Sequence, residues 1–441
     1  MTVGALVAIE WFRLRCCTRR EPRLAQPSGL VKNHFFLSAV WLLLALAVTA
    51  RATDPSSVED RLRALEAKVD ALQQENAALR RQLGEPAPAP NHADTTAAAV
   101  VPIPSGQETR LVLGGYTQMD AEFGGLGDAR FAGAGDRIYA RRARLSLSGA
   151  FAEHFDFRIE GEFGAGTITP TSGIRAQANE IYLGWSRYSG ATFHIGQLKP
   201  AFSAEMLAVE FKGALVERSL GAERVGDSRQ IGAALNGDFL GARLGYLVFV
   251  GNGNGANTSA NDNRKFLDTA HVYAVPFDSP AAGKFTLGAS ALHSVDTALA
   301  KPGPGFDSVP GGAIDGLFTG ARDGWGLDAA WHFGLLDLSS ELLRVRYRPV
   351  NAIPDPSFNS ESWQLTATYF LLPHQLQAAV RREHFDPNSV RHGDSTENWI
   401  AGFNYFLKGE DLRIMVDYLF GHAAGTTGDQ GRLLTRFQIV Y

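Results

Sequence analysis

The stretch FDFRIEGEF, Phe155 to Phe163, alternates without a break. Phe155, Phe157, Ile159, Gly161 and Phe163 share one parity; Asp156, Arg158, Glu160 and Glu162 share the other. A period of two is the signature of a β-strand with two unlike faces. A soluble barrel would turn its apolar face inward and put the charges outside. Four charges of mixed sign on one face of a barrel strand instead suit a water-filled lumen, with lipid taking the apolar face.

The pattern recurs along the chain. In GGYTQMDAEF (114–123), Tyr116, Gln118, Asp120 and Glu122 oppose Thr117, Met119, Ala121 and Phe123. Similar alternation marks 137–151, 179–187, 191–198, 230–238, 242–250, 266–275, 284–293, 324–333, 335–347, 361–371, 375–384, 397–407, 411–420 and 432–441, sixteen candidate strands in all. The odd connections are long, among them GGLGDARFAGAGD, residues 199–229, GNGNGANTSANDNRK and the Gly/Pro-rich stretch from Ser294 to Asp323. The even ones are short, such as AEH, YSG, LGA, Gly334, LPH and LKGE, with PFDSPAAG the longest exception. One rim of short turns and one of long loops predicts an all-β transmembrane barrel, antiparallel and 16-stranded, with both ends of the barrel on the short-turn, periplasmic side. Closure satisfies every backbone donor and acceptor, which hydrocarbon requires. Trp185, Trp325, Trp331, Trp363 and Trp399 are candidates for the interfacial girdles. The last strand, LLTRFQIVY (433–441), must pair with the first; Phe437, Ile439 and Tyr441 are expected to face lipid and Gln438 the lumen.

The rest of the chain bounds the reading. A net charge of -4 over 441 residues carries no nucleic-acid signal. The two cysteines, Cys16 and Cys17, leave no disulfide or Cys metal site for the remainder. The apolar run FFLSAVWLLLALAV, Phe35 to Val48, follows Lys32 and precedes Ala50-Arg51-Ala52. It is short for a bilayer span and reads as a signal peptide over 31–52, cut after Ala52. Residues 1–30 fit no part of such a signal and read as a mis-called start, with translation beginning at Val31. Residues 53–83 read as a coiled-coil helix. Leu62, Val69, Asn76 and Leu83 take a positions, and Val58, Leu65, Leu72 and Leu79 take d positions. Residues 84–110 are a Pro/Ala-rich linker, and 111–441 form the barrel.

Three segments resemble the phosphate-selective porins of the O and P type: RRARLSLSGAFAEHFDFRIEGEFG (141–164), IGQLKPAFSAEMLAVEFKGALVERSL (195–220) and IGAALNGDF (231–239). The resemblance covers about Arg110 to Tyr441, and the coiled coil also recurs in such proteins. It implies a sixteen-stranded outer-membrane porin barrel, usually trimeric, that passes small anionic solutes by passive diffusion. It also implies that the loop at 199–229 folds into the lumen. The terminal aromatic resembles the signal by which bacterial assembly machinery recognises such barrels.

A porin selects by pore size and by fixed charge at its constriction. The loop holds Lys199, Lys212, Arg218, Arg224 and Arg229 against Glu205, Glu210, Glu217, Glu223 and Asp227. Parity sets Arg142 and Arg144 beside Ser146 and Ser148, facing the lumen, and Arg158 joins them from the next strand. These eight cations are the candidate anion-binding residues, since guanidinium groups add planar hydrogen bonding to charge. The competing reading has them paired with Glu160, Glu162 and the loop carboxylates, bracing the wall. Carboxylates outnumber cations in the barrel domain, so overall charge does not declare anion selectivity. No cofactor or metal site is expected: GNGNGANTSANDN lacks EF-hand spacing, and neither H-E-x-x-H nor G-x-S-x-G occurs. The expected partners are small anionic solutes, outer-membrane lipid, two further copies in a homotrimer, and the cell wall through the coiled coil. Two other functions remain open: an outer-membrane to cell-wall tether, and a barrel hydrolase, for which no nucleophile–base pair stands out.

Overall fold

Period-two sequence becomes sixteen strands, each hydrogen-bonded antiparallel to the next. In a computed structural model they are β1 (Arg110–Gly124), β2 (Arg137–Phe151), β3 (Phe155–Glu162), β4 (Gln177–Tyr188), β5 (Ala191–Leu198) and β6 (Gln230–Phe239). There follow β7 (Leu244–Gly251), β8 (Leu267–Ser279), β9 (Gly283–Ala300), β10 (Leu317–Phe333) and β11 (Leu336–Pro349). The last five are β12 (Phe358–Leu372), β13 (Leu376–Asp386), β14 (Thr396–Lys408), β15 (Leu412–His422) and β16 (Gln430–Val440). Two-residue strands at Ala99–Val100 and Ala313–Ile314 add to β1 and β10. The structure describes the backbone of 99–100 and residues 110–441, except 132–133, 166–173, 175, 189, 301–312, 315–316, 351–356, 423–427 and 429. The expected extension, signal peptide and coiled coil, and nearly all of the linker, lie outside the described residues.

β16 pairs with β1 from Arg432 opposite Gly124 to Val440 opposite Tyr116, so the sheet closes. Gly115 N donates to Tyr441 O at 2.7 Å and Tyr441 N to Gly115 O at 3.0 Å, extending the seam to the last residue. Faces follow parity: Gln118, Asp120, Glu122, Arg436 and Gln438 are buried inside, while Met119, Phe123, Phe437, Ile439 and Tyr441 are exposed outside. The short-turn rim is more regular than the sequence suggested. PFDSPAAG is not an exception: β8 continues to Ser279 and β9 begins at Gly283. The Gly/Pro-rich stretch after Ser294 is likewise shortened by strand at both ends, to Ala300 and from Leu317. Gly334, at φ 61, supplies the left-handed residue of the tight β10–β11 turn.

One region departs from the apolar-out rule. Toward the long-loop rim, Leu343, Val345 and Tyr347 of β11 point inward and are almost fully buried. Arg344, Arg346 and Arg348 alternate with them and are exposed. Phe318, Phe358, Phe385, Phe249, Leu267 and Leu292 complete an inner apolar cluster with Phe202, Leu220 and Val225 of the 199–229 loop. Polarity inverts because these strand ends project past the apolar belt. There the outer face meets polar surroundings, and the inner face packs on protein as a soluble core does.

The loop at 199–229 lies inside the barrel. It carries the helical turn α1 (Ala204–Leu207) and the short helix α2 (Leu220–Val225). Gly221 lets α2 approach the wall: a Cβ there would lie 2.2 Å from the Ser362 side chain. Phe202→Ala should open a cavity in the inner cluster and cost about 3–5 kcal/mol. The expected outcome is a lower temperature for loss of the compact, fast-migrating barrel on a semi-native gel. An unchanged midpoint would mean that the loop does not depend on this cluster.

Candidate functional site

An irregular segment inside a barrel must find partners for its backbone. Here the wall and the β1–β2 loop supply donors to the carbonyls of residues 211–218. Arg413 donates to Phe211 O and Gly213 O, both at 2.8 Å. Asn404 donates to Ala214 O at 2.8 Å, Arg381 to Glu217 O at 3.0 Å and Arg130 to Arg218 O at 2.7 Å. Arg436 donates to Val216 O, and Gln438 to Phe211 O at 2.9 Å. Wall carboxylates take loop N–H groups in turn: Glu341 from Ala204 at 2.6 Å and Asp417 from Val216 at 2.6 Å. The loop therefore leaves β5, crosses the lumen to the wall at β11 and β13–β16, and returns to β6.

At the near wall four cations converge on one carboxylate. Glu210 lies 3.1 Å from Arg218, 3.2 Å from Arg144, 3.4 Å from Arg229 and 3.6 Å from Lys199. Burial alone would raise the Glu210 carboxyl; Arg144, Lys199, Arg218 and Arg229 outweigh it and hold the group well below the usual carboxylate range. The stability this gives is present above the ordinary glutamate range and lost as pH falls through the lowered value. Lys199 goes the other way: burial lowers its ammonium to about 8, partly opposed by Glu210 and reinforced by Arg218 and Arg229. Lys199 also donates to Ala208 O at 2.9 Å. Arg144 is further paired with Glu162 at 2.7 Å, and Arg229 with Glu180 at 2.8 Å. Arg158 sits one link away, between Glu160 and Glu180, so it belongs to the wall side of the network.

A second cluster surrounds Glu217, whose carboxylate lies 2.8 Å from Arg141, 2.8 Å from Arg436 and 3.9 Å from Arg142. Arg142 also donates to Gln118 at 2.9 Å. The strand register explains why adjacent arginines share one face. Gln118 pairs with Arg142 and Met119 with Ala140, leaving Arg141 as the extra residue of a β-bulge. Arg224 is buried on α2, while Lys212 is exposed and forms no ion pair with a described residue.

Three cavities line up through the lumen. The one toward the long loops, about 740 Å³, is lined by Arg144, Lys199, Arg224 and Arg229 and by Asn254–Thr258. A second, about 340 Å³, reaches Ala329 and Ser340 near the short-turn rim. Arg142, Glu210, Glu217 and Arg218 border both. A third, about 270 Å³, shares Lys212, Ala214, Ser339 and Thr366 with the second. The first two spaces thus meet at a waist whose walls carry Arg142 and Arg218 together with the carboxylates of Glu210 and Glu217.

The family model for phosphate-selective porin O and P matches residues 112–441. The chain belongs to that family. Solved structures share the fold at low identity. The outer membrane channel DcaP of Acinetobacter baumannii has a TM-score of 0.52 at 14% identity, over 76% of this chain and 99% of that one. The trimer form of in-vitro folded OmpT from Vibrio cholerae gives 0.52 at 11%, over 76% and 99%. Salmonella typhi OmpF in complex with daunomycin gives 0.52 at 13%, over 76% and 98%. No curated protein sequence matches. As a porin of this family the barrel resides in the bacterial outer membrane, where it is a channel, and its long loops face outward from the cell.

Parity in the sequence located Arg142 and Arg144 on the inner face. It missed Arg141, because a bulge breaks parity without leaving a residue-type signal. It also passed over Arg381, Arg413 and Arg436, although their alternate positions on β13, β15 and β16 were readable as inward. Glu217→Gln would leave Arg141 without its buried carboxylate and Arg436 with Asp120 alone, and should cost about 3–5 kcal/mol. The expected result is a clear fall in thermal midpoint, followed by tryptophan fluorescence. A change within about 0.5 kcal/mol would show that the pair is not held as described.

Proposed function

We propose that this porin passes small hydrophilic anions, phosphate and polyphosphate among them, by passive diffusion. In this reading Arg142, Arg144, Lys199, Lys212, Arg218, Arg224 and Arg229 form the cationic path, and Arg158 tunes it from the wall. The observation that carries the proposal is the waist: Arg144, Lys199, Arg218 and Arg229 converge on the carboxylate of Glu210, and Arg142 borders both cavities with Arg218. With Arg158 and the wall carboxylates Glu160, Glu162 and Glu180 included, five cations face four carboxylates, a local surplus of one positive charge, although the whole barrel domain has more carboxylates. The family description adds support. The reading includes a homotrimer, as in the OmpT trimer form.

Planar-bilayer reversal potentials under a salt gradient test it. The expected channel is anion-selective, and Arg142→Gln with Arg218→Gln should shift the anion-to-cation ratio about fivefold per charge. That figure is what ~1 kcal/mol at 4 Å in water-like surroundings implies. A cation-selective wild-type channel would overturn the proposal.

Lys199 gives the pH dependence. Its charge is present below about 8 and lost above it. Anion preference should therefore decline between pH 7 and pH 9 in the wild type and hold steady in Lys199→Arg. A flat wild-type profile would remove Lys199 from the path.

A further inference from the structure

On the outside of the barrel, just beyond Trp325, Trp363 and Trp399, the lipid-facing parity turns from apolar to charged. Leu327, Leu342 and Leu365 are exposed on the membrane side of those tryptophans. From the level of Trp325 outward stand Arg344, Arg346 and Arg348 of β11, at alternate positions two residues apart. Arg344 pairs with Glu361 at 3.2 Å, and Arg348 pairs with Asp323, which also meets His293 at 2.8 Å. Arg346 donates to Ser357 Oγ at 3.1 Å and reaches no carboxylate among the described residues. Between these side chains lies a groove of about 410 Å³, bounded by Trp325, Arg344, Arg346, Ser357, Asn359 and Asp323. None of this belongs to the lumen.

We propose that this groove seats the phosphate-bearing headgroup of an outer-leaflet glycolipid. Three features select that occupant. The depth is right: interfacial tryptophans mark the boundary between hydrocarbon and headgroups, and the arginine row starts at Arg344, the register partner of Trp325, and runs outward through Arg346 and Arg348. The chemistry is right: Arg346 has donors that no described residue takes, beside Arg344, and guanidinium groups take phosphate oxygens in a planar, multi-donor geometry. Basic grooves of this kind on membrane proteins hold lipid phosphates. The shape is right as well. Trp325 offers an apolar wall where sugar gives way to acyl chain, and Ser357 and Asn359 offer polar groups to hydroxyls. A second copy of the chain fits less well, because the centre of a subunit interface is depleted in charge.

The test uses the full-length protein, purified in detergent and stripped of lipid. Native mass spectrometry would follow the binding of a diphosphorylated glucosamine-disaccharide lipid, its dephosphorylated counterpart and inorganic phosphate. The phosphorylated lipid should bind wild type best. Arg346→Gln should weaken it about fivefold, and Arg344→Gln with Arg346→Gln by a further fivefold. Arg346→Lys should fall between wild type and Arg346→Gln, and conductance should be unchanged throughout. Equal lipid affinity in wild type and double variant overturns the proposal, as does equal binding of the dephosphorylated lipid. Displacement of the lipid by millimolar inorganic phosphate would reduce the groove to an ion site. A change of oligomeric mass on substitution would make it a subunit contact. If the double variant fails to form the heat-modifiable barrel, Arg346→Gln alone decides.

Discussion

The structure turns on one demand: the carbonyls of residues 211–218 lie inside the barrel and need donors. Arg413, Asn404, Arg381, Arg436, Gln438 and Arg130 meet it from wall and loop. An arginine suits this task because its planar head has five donors, enough to serve a carbonyl and a carboxylate together. Arg436 does both, binding Val216 O, Asp120 and Glu217. Once the chain is hung in this way, its path across the lumen follows, and so does the waist between the cavities.

The same bonds sort the many arginines by role. Arg130, Arg381 and Arg436 spend their donors on the loop backbone and on carboxylates inside the barrel, and Arg413 on two loop carbonyls and the partly exposed Glu410, so they are structural cations. Buried ion pairs of this kind gain little net stability over apolar packing, but losing one partner is costly. They therefore hold one geometry rather than add strength. Arg144, Arg218 and Arg229 share carboxylates, Lys212 forms no ion pair with a described residue, and all four border the cavities. Selectivity in such a pore is a matter of which charges reach the water path, not of the sum over the chain. That is why surplus carboxylate over the whole barrel domain does not by itself decide against the anion selectivity proposed above.

Beyond the membrane the strands behave as those of a soluble protein. Val345 and Tyr347 are fully buried inside at the long-loop end, where Arg344, Arg346 and Arg348 are outside. Near the opposite rim the usual order returns, with Phe333, Leu371 and Tyr405 outward. The switch in polarity along a single strand records where lipid ends more directly than any loop boundary does. It also accounts for a sequence window that looked like loop at the long-loop end, where strand continues past Ser294 to Ala300.

Alternation, together with the lengths of the connections, determined the strand number, the antiparallel closure, the two rims and the inward faces of Arg142 and Arg144. Parity is a local property of the chain, and lipid outside with water inside leaves it one solution. The tertiary structure decided the rest. Arg141 faces inward because a bulge against Gln118 and Met119 inserts one residue, and nothing in the run RRAR marks where pairing slips. Glu210 is the hub because the loop brings it to Arg144, Lys199, Arg218 and Arg229, residues spread over 86 positions of the chain. A loop of balanced composition has no period to read. Its path is set by hydrogen bonds to strands about 200 residues away, such as Val216 to Asp417, and these exist only once the barrel has closed.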